Sequence, residues 1–294
     1  MEKSGDPGLL SGRAGDVVVS IDEIIDRCLS AESGDSFALT LDPGFQGLPE
    51  TAHGGSVLAV FDRIARVDGP REVLGACRRR VPLGRPLALE LRAAGGGVAL
   101  LLRDERTLLV DGHVVPGDAP GPEPVPPAGA GLALPVSYTC FACGIKNEIG
   151  LRVALAFDER SVWGEYEPRD QFRRGGGTIA PVVLTTLLDE TAFWLGALAT
   201  GESGMTTEIR VRLHPEASFG RRLVVSGARA RVAPTEDDPR YWRAETAVHD
   251  EHGVLIASGR VTFVAVRGSA KRLVTGMLAM NPPEVVRRVF PAYA

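Results

Sequence analysis

The sequence has few cysteines, little excess charge and no long apolar run, and each absence excludes a class of protein. Four cysteines in 294 residues are too few for the disulfide framework of a small secreted domain. The formal net charge of −4 argues against nucleic-acid binding, because such domains usually carry a basic excess. No run of about 18 apolar residues is present to span a membrane. The start, Met1 to Pro7, lacks the apolar stretch of a signal peptide. We therefore expect a cytoplasmic protein with reduced thiols that binds neither nucleic acid nor membrane.

One cysteine pair raises the question of a metal. Cys140-Phe-Ala-Cys143 has zinc-knuckle spacing. A structural zinc site needs four ligands, and no second cysteine pair or histidine pair follows at a suitable distance. We therefore expect no metal and interpret the two cysteines as part of a structural turn.

The chain divides at a segment dense in proline, glycine and alanine, residues 116–135, which suits an extended linker. Residues 1–115 precede it as a first half with an N-terminal extension. Residues 136–267 follow it as a second half, and residues 268–294 form a C-terminal tail without a recognisable motif. An apolar content of 44% with 24% charged residues is that of a globular protein with a sizeable core.

The two halves repeat each other across the linker. Three pairs of segments match in the same order: residues 45–62 with 172–189, 84–87 with 220–223, and 104–105 with 250–251. Shared order over several motifs indicates duplication of one unit. The first pair ends in equivalent acids, Asp62 and Asp189.

Each half has the pattern of one helix with several strands. The predicted helices are 54–67 and 181–199, and the second is apolar nearly all round, which predicts that it is buried. The predicted strands are 37–41, 71–78, 86–92, 97–103 and 107–115 in the first half, and 151–157, 208–213, 223–226, 242–248 and 254–266 in the second. This is an α+β layout, with an antiparallel sheet wrapped on a helix in each half.

Several motifs resemble the hotdog thioesterases of the PaaI and 4-hydroxybenzoyl-CoA thioesterase type. In the first half they are Phe45-Gln46-Gly47, His53-Gly54-Gly55, and Asp62 nine residues after the histidine. In the second half they are the segment 140–151, which begins at the cysteine pair, and Leu187-Leu188-Asp189-Glu190. The resemblance covers about residues 35–115 and 136–267. It implies a double hotdog, in which the two halves share one continuous sheet around both helices.

The resemblance also implies a chemistry. The substrate is a thioester on coenzyme A or on the phosphopantetheine of an acyl carrier protein, bound between the halves, with no separate cofactor. A backbone N–H at a helix start holds the developing oxyanion, and a carboxylate attacks the carbonyl or activates water. Gly54 and Asp62 lie on one helix about 12 Å apart at 1.5 Å per residue, so the acid that serves Gly54 must come from the other half.

The repeat predicts a single competent site. The residues equivalent to His53-Gly54-Gly55 are Ala180-Pro181-Val182, and proline has no N–H to donate. Asp189 therefore serves Gly54, and Asp62 faces the deficient Pro181. Pro181 is equally an ordinary first residue of a helix.

We predict roles for eight residues. The catalytic set is Asp189, Gly54, Thr207 and His53. The substrate-binding set is Gly47, Gly55, Glu190 and Asp62. In this family a Ser or Thr at the start of the strand after the helix often holds the water; Thr207 has that position, whereas the first half has Arg71 there.

Some of these residues have a simpler explanation. His53 is more often a residue that orders the helix entry through hydrogen bonds. The arginine runs 78–80 and 173–174 are either solvated or contact the phosphates of coenzyme A or an acidic carrier protein.

We predict acyl thioester hydrolysis. The alternatives are non-hydrolytic binding of an acyl thioester and a hotdog dehydratase, which usually needs a catalytic histidine paired with an acid in the facing site. The sequence also leaves open whether double units assemble into a homo-oligomer.

Overall fold

The structure is a computed structural model that describes residues 18–117, 121–123, 125–126, 129–214 and 217–294. Most of the predicted N-terminal extension and parts of the predicted linker lie outside these residues. The described part contains five helices: α1 Ile21–Arg27, α2 Gly54–Ala65, α3 Pro181–Thr200, α4 Ala270–Leu278 and α5 Pro283–Val289.

Fourteen strands accompany these helices in the described residues. Those before the linker are β1 Leu29–Ala31, β2 Ser36–Leu39, β3 Arg71–Cys77, β4 Leu87–Ala94, β5 Gly97–Asp104 and β6 Thr107–Pro116. Those in and after the linker are β7 Leu132–Ala133, β8 Ala156–Phe157, β9 Ser161–Tyr166, β10 Met205–Leu213, β11 Leu223–Ala228, β12 Ala233–Pro234, β13 Tyr241–Asp250 and β14 Leu255–Val264.

The strands form one continuous sheet whose order mirrors itself about its centre. From the centre outward the order is β3, β6, β5, β4, β2 on one side and β10, β14, β13, β11, β9 on the other. The two central strands pair antiparallel, with Arg71 opposite Leu213 and Ala76 opposite Glu208. The strands before the linker and those after it therefore join edge to edge through the β3–β10 pair.

Helices α2 and α3 pack against each other. The start of α2 contacts the middle of α3, where the Thr185 hydroxyl donates to the Gly55 carbonyl at 2.7 Å. The start of α3 lies near the end of α2, where Pro181 and Asp62 line one cavity. The two helices therefore run antiparallel, which places the N-terminus of α2 beside the central turns of α3.

Helix α3 is the apolar core element that its sequence predicts. It begins with Pro181 at its first turn and ends at Gly201, whose φ of 70° is a left-handed conformation suited to glycine. Its length and hydropathy would allow it to cross a bilayer, but 83% of the apolar window is buried inside the fold. Burial in the core accounts for its composition.

The predicted strand 151–157 is mostly wrong, because only Ala156–Phe157 joins the sheet. The preceding residues bond to a loop instead: the Leu151 N–H donates to the Phe141 carbonyl and the Val153 N–H to the Ala142 carbonyl. Their alternating burial comes from packing on that loop. The sequence pattern also did not predict the helices α1, α4 and α5 or the strands β1, β7, β9 and β12.

This opening loop of the second half, residues 137–151, docks on the first half. The Phe141 N–H donates to the Gln46 carbonyl at 2.6 Å, and the Asn147 side chain donates to the Gly44 carbonyl at 2.7 Å. The Phe45 and Phe141 rings pack with centroids 5.0 Å apart. The loop that carries the cysteine pair is thereby fixed beside the entry to α2.

Residues 268–294, predicted as a tail, are largely helical and pack on the fold. The Asn281 amide bonds both backbone groups of Val136 at 2.9 Å. Phe290 is fully buried, with its ring 6.3 Å from that of Trp194. This segment covers one end of the groove between the halves.

Candidate active site

A cavity of about 300 Å³ lies between the two halves. The entry to α2, the middle of α3, the end of β3 and the start of β10 form its walls, and α4 contributes Leu273 and Met277. Seven of the eight residues with predicted roles line it or contact a residue that does: Gly47, His53, Gly54, Gly55, Asp189, Glu190 and Thr207. Apolar side chains from both halves line much of the rest.

Asp189 projects from α3 onto the N-terminus of α2. Its Oδ2 accepts a hydrogen bond from the Gly55 N–H at 3.0 Å, and the Gly54 N–H interacts with the same carboxylate. Asp189 is only 6% exposed. Burial raises the pKa of this carboxyl, although His53 and the two N–H groups act to lower it. The structure therefore brings the acid of one half to the helix start of the other.

His53 lies between two carboxylates. Its Nδ1 is 3.2 Å from Asp189 Oδ2 and its Nε2 is 3.5 Å from Glu190 Oε2. Burial lowers the pKa of the imidazole, but Asp189 and Glu190 outweigh that effect and raise it to about 9. The raised pKa favours the doubly protonated ring at neutral pH, in which one N–H is directed to each acid and the Gly55 N–H donates to Asp189. In the neutral ring Nδ1 can instead accept the Gly55 N–H at 3.2 Å.

Glu190 has a second partner that the sequence analysis missed. The Trp194 indole N–H donates to Glu190 Oε1 at 2.9 Å, one helical turn further along α3. The spacing of four residues on one helix face is the available sequence signal. Both side chains are buried, so this bond fixes the carboxylate toward His53.

Thr207 lines the cavity at an irregularity of β10. The β10–β14 pairing shifts between Thr206 and Glu208, which leaves Thr207 without a partner in the ladder. Its hydroxyl donates to the Thr262 carbonyl at 3.1 Å. Because this bond uses the hydroxyl proton, the Thr207 oxygen can accept a hydrogen bond from a water in the cavity but cannot donate one.

Asp62 lies outside the cavity of Asp189. Together with Pro181, the helix start that lacks an N–H, it lines a separate cavity of about 1050 Å³. It forms a buried ion pair with Arg71, in which Nη2 is 2.8 Å from Asp62 Oδ2. A role for Asp62 in binding substrate stays a prediction.

The two arginine runs differ in position. Arg78, Arg79 and Arg80 are exposed at the edge of the Asp189 cavity, and within the described residues none of the three has a carboxylate partner. Arg174 pairs with Asp22 at 2.9 Å and Arg173 lies over the Phe219 ring. The first run is available to a ligand, and the second has structural contacts.

Comparisons with known proteins identify the fold of this chain. No family model matches the chain, and no curated protein matches it. Among solved structures it is similar to a putative thioesterase II from Thermobifida fusca YX (TM-score 0.61, 17% identity, 83% of this chain and 99% of that one). It is similar to the acyl-CoA thioesterase II TesB2 from Mycobacterium marinum (TM-score 0.59, 13% identity, 85% and 100%). It is also similar to the dehydratase domain of RzxB from Pseudomonas fluorescens (TM-score 0.54, 14% identity, 78% and 93%). The chain has a hotdog fold.

Proposed function

We propose that this protein is a double hotdog that hydrolyses an acyl thioester at one site between its halves. The observation that carries the proposal is the position of Asp189, a buried carboxylate 3.0 Å from the Gly55 N–H at the start of the facing helix. A buried acid at a helix N-terminus in a partly apolar cavity is suited to activate water beside a polarised carbonyl. The thioesterase names among the similar structures support it. They do not favour the PaaI type in particular, so that assignment rests on the motif at His53.

In the proposed reaction the Gly54 N–H exchanges its interaction with Asp189 for the thioester carbonyl, while the Gly55 N–H keeps its bond to Asp189. Asp189 takes a proton from a water molecule, and the water oxygen attacks the carbonyl carbon. The oxyanion then reforms the carbonyl and the C–S bond breaks. The leaving thiolate takes up the proton held by Asp189. His53, which donates Nδ1–H to Asp189, keeps the carboxylate in position. The products are a carboxylic acid and a free thiol.

The substrate class follows from the two ends of the cavity. Phe193, Trp194, Leu273 and Met277 form an apolar wall suited to an acyl group. Arg78, Arg79 and Arg80 stand at the edge with no acidic partner among the described residues, which suits phosphate recognition. We therefore infer that the thiol moiety carries phosphates, as in coenzyme A or phosphopantetheine on a carrier protein.

The assay that tests this function measures free thiol release from a panel of acyl-CoA thioesters of increasing chain length, and from the same acyl groups on a carrier protein. We expect saturable release from at least one of these substrates. Saturable binding without release from any of them would identify a thioester-binding protein and contradict the proposal.

The arginine run gives a prediction of its own. Replacing Arg78, Arg79 and Arg80 together by glutamine should raise KM for the coenzyme A thioester at least 10-fold, flatten its salt dependence and leave kcat within a few-fold. The effect should disappear with the matching N-acetylcysteamine thioester, which has no phosphate.

The matched control replaces three exposed arginines away from the cavity, Arg27, Arg106 and Arg243, by glutamine. It changes the net charge equally, so an equal rise in KM would show a general charge effect and not phosphate recognition at the rim.

A dehydratase is the second candidate, favoured by the 3.2 Å contact of His53 with Asp189 across the two halves. Dehydration needs a neutral imidazole to remove a proton from the substrate. The pKa of His53 is raised to about 9, which favours the protonated imidazole at neutral pH. A protonated imidazole cannot accept a proton from the substrate, and this argues for hydrolysis. Enoyl formation from 3-hydroxyacyl thioesters, followed by absorbance, is the measurement that would favour this alternative.

A further inference from the structure

A cluster of metal-binding side chains lies behind the catalytic acid. His53, Cys140 and Glu190 each place a ligand atom within 4.8 Å of the other two. The Cys143 thiol interacts with both the Cys140 thiol and the Glu190 carboxylate. All four residues are buried, at 5–6% exposure. Together they offer two sulfurs, one imidazole nitrogen and one carboxylate oxygen; the nitrogen, the oxygen and the Cys140 sulfur are grouped within 4.8 Å, and Cys143 adjoins this group through its contacts with Cys140 and Glu190.

The fold brings these ligands from three separate segments. The opening loop carries Cys140 and Cys143 and is fixed to the first half by the Phe141 to Gln46 backbone bond. His53 caps the start of α2, and Glu190 projects from the middle of α3. The cysteine pair supplies only two of the four ligands that a zinc site needs, and no second cysteine or histidine pair follows it at a suitable distance in the chain. Tertiary structure supplies the other two from positions 87 residues before Cys140 and 47 residues after Cys143.

The spacing suits a tetrahedral ion. Bonds of about 2.0–2.3 Å to nitrogen, oxygen and sulfur place tetrahedral ligand atoms roughly 3.3–3.8 Å apart. His53 Nε2 and Glu190 Oε2 are 3.5 Å apart, and the Cys140 sulfur needs to move by no more than about 1–1.5 Å from the limit of 4.8 Å. Thiolate with imidazole and carboxylate is a zinc donor set.

The neighbours of the cluster are those of a metal site. A metal-bound histidine usually donates its other ring N–H to a carboxylate, and His53 Nδ1 faces Asp189 at 3.2 Å. A metal-bound carboxylate is usually hydrogen-bonded as well, and the Trp194 indole holds Glu190 Oε1. Without an ion, the same space contains two thiols, an imidazolium and a glutamate, an arrangement with no evident structural need for two cysteines.

We propose that His53, Cys140, Cys143 and Glu190 bind one zinc ion per chain. The ion replaces the proton on His53 Nε2 and the two thiol protons, which are released to solvent, and it leaves Nδ1–H directed to Asp189. It holds the opening loop, α2 and α3 together and fixes His53 as a positioning residue. The proposal does not rest on the hydrolase function.

The first test measures metal in the purified full chain, and cobalt(II) binding after chelation. We expect about one zinc per chain. The cobalt form should show tetrahedral d–d absorption together with thiolate-to-cobalt charge transfer, and chelation should lower Tm. These readouts need no substrate and no variant. Less than 0.1 zinc per chain together with no cobalt spectrum would overturn the proposal, as would a Cys140–Cys143 disulfide in the purified protein.

Variants locate the ion. Cys143→Ser and Glu190→Gln should each remove the tetrahedral cobalt spectrum or weaken cobalt binding at least 100-fold, whereas Cys28→Ser, a buried thiol outside the cluster, should leave it unchanged. Asp189→Asn should keep the spectrum and weaken binding about 10–100-fold, as the loss of a hydrogen-bonded neighbour does at other metal sites. An unchanged spectrum in both ligand variants would place the ion elsewhere and contradict the assignment.

Discussion

Asp189→Asn should abolish thiol release, with kcat/KM reduced at least 10³-fold, while Asp62→Asn retains most of the activity per folded molecule. Asparagine keeps the size of Asp189 and its contact with the Gly55 N–H but cannot take a proton from water. Asp62 is neutralised by Arg71 and lies in a separate cavity, so its charge does not reach the reaction. The measurement is initial rate against substrate, with folded protein quantified in the same samples.

The stability of the Asp62 variant needs its own control. Removing one partner of a buried ion pair typically destabilises a protein by about 3–5 kcal/mol, because the other charge is left uncompensated. Asp62→Asn should therefore lower Tm, and its rate is best measured well below that temperature. A second variant, Asp62→Asn with Arg71→Gln, removes both charges and should recover part of the Tm while remaining active.

Two outcomes would contradict the one-site proposal. Activity in Asp189→Asn with none in Asp62→Asn would mean that the competent acid is the one beside Pro181. Equal losses of about half would mean that both sites work and that the missing N–H of Pro181 is unimportant. Retention of the tetrahedral cobalt spectrum by an inactive Asp189→Asn protein would separate this result from the metal proposal.

The repeat in the sequence is sufficient to place Asp189 and Gly54 on facing helices. Equivalent positions in a duplicated unit must be related by the symmetry of the pair, and about 12 Å of helix excludes a partner on the same helix. The structure puts Asp189 against the N-terminus of α2, where the Gly55 N–H donates to it at 3.0 Å. Periodicity also finds both central helices, because their apolar residues persist over several turns.

Specific side-chain pairings are what the sequence did not reveal. The Asp62–Arg71 pair and the bond from Trp194 to Glu190 join residues close in the chain, but composition does not show that they meet. The convergence of Cys140 on His53 and Glu190 depends on tertiary contacts. The helices α4 and α5 are short, and their apolar residues are recognisable as one face only when the groove that they cover is known. The local sequence pattern predicts most of the helices and strands. The packing of those helices and strands determines which polar side chains come into contact.

Replacement by alanine should affect stability at one of two neighbouring glycines and activity at the other, because their missing Cβ atoms face different groups. At Gly55 a Cβ would lie 2.6 Å from the Thr185 carbonyl oxygen and 2.7 Å from the Thr186 Cα, both backbone atoms of α3. Backbone cannot give way cheaply, so Gly55→Ala must separate the two central helices. We expect a loss of about 1–3 kcal/mol or more of unfolding free energy, seen as a fall in Tm of roughly 2–4 °C per kcal/mol.

At Gly54 a Cβ would lie 2.4 Å from the end of the flexible Ile209 side chain and 2.8 Å from Asp189 Oδ2. The isoleucine can rotate away, so Gly54→Ala should keep most of the stability while it displaces the carboxylate. A misplacement of about 1 Å costs on the order of 10²-fold in rate, which is the expected fall in kcat.

Gly276→Ala provides the matched control, since this helical glycine of α4 has open space around its missing Cβ. It should leave kcat unchanged and raise the unfolding free energy by up to about 1 kcal/mol through helix propensity. Full activity in Gly54→Ala, at a Tm equal to that of the wild type, would show that the carboxylate at the start of α2 does not need its present position. The proposed catalytic geometry would then fail, whereas the packing argument at Gly55 would stand or fall on its own Tm.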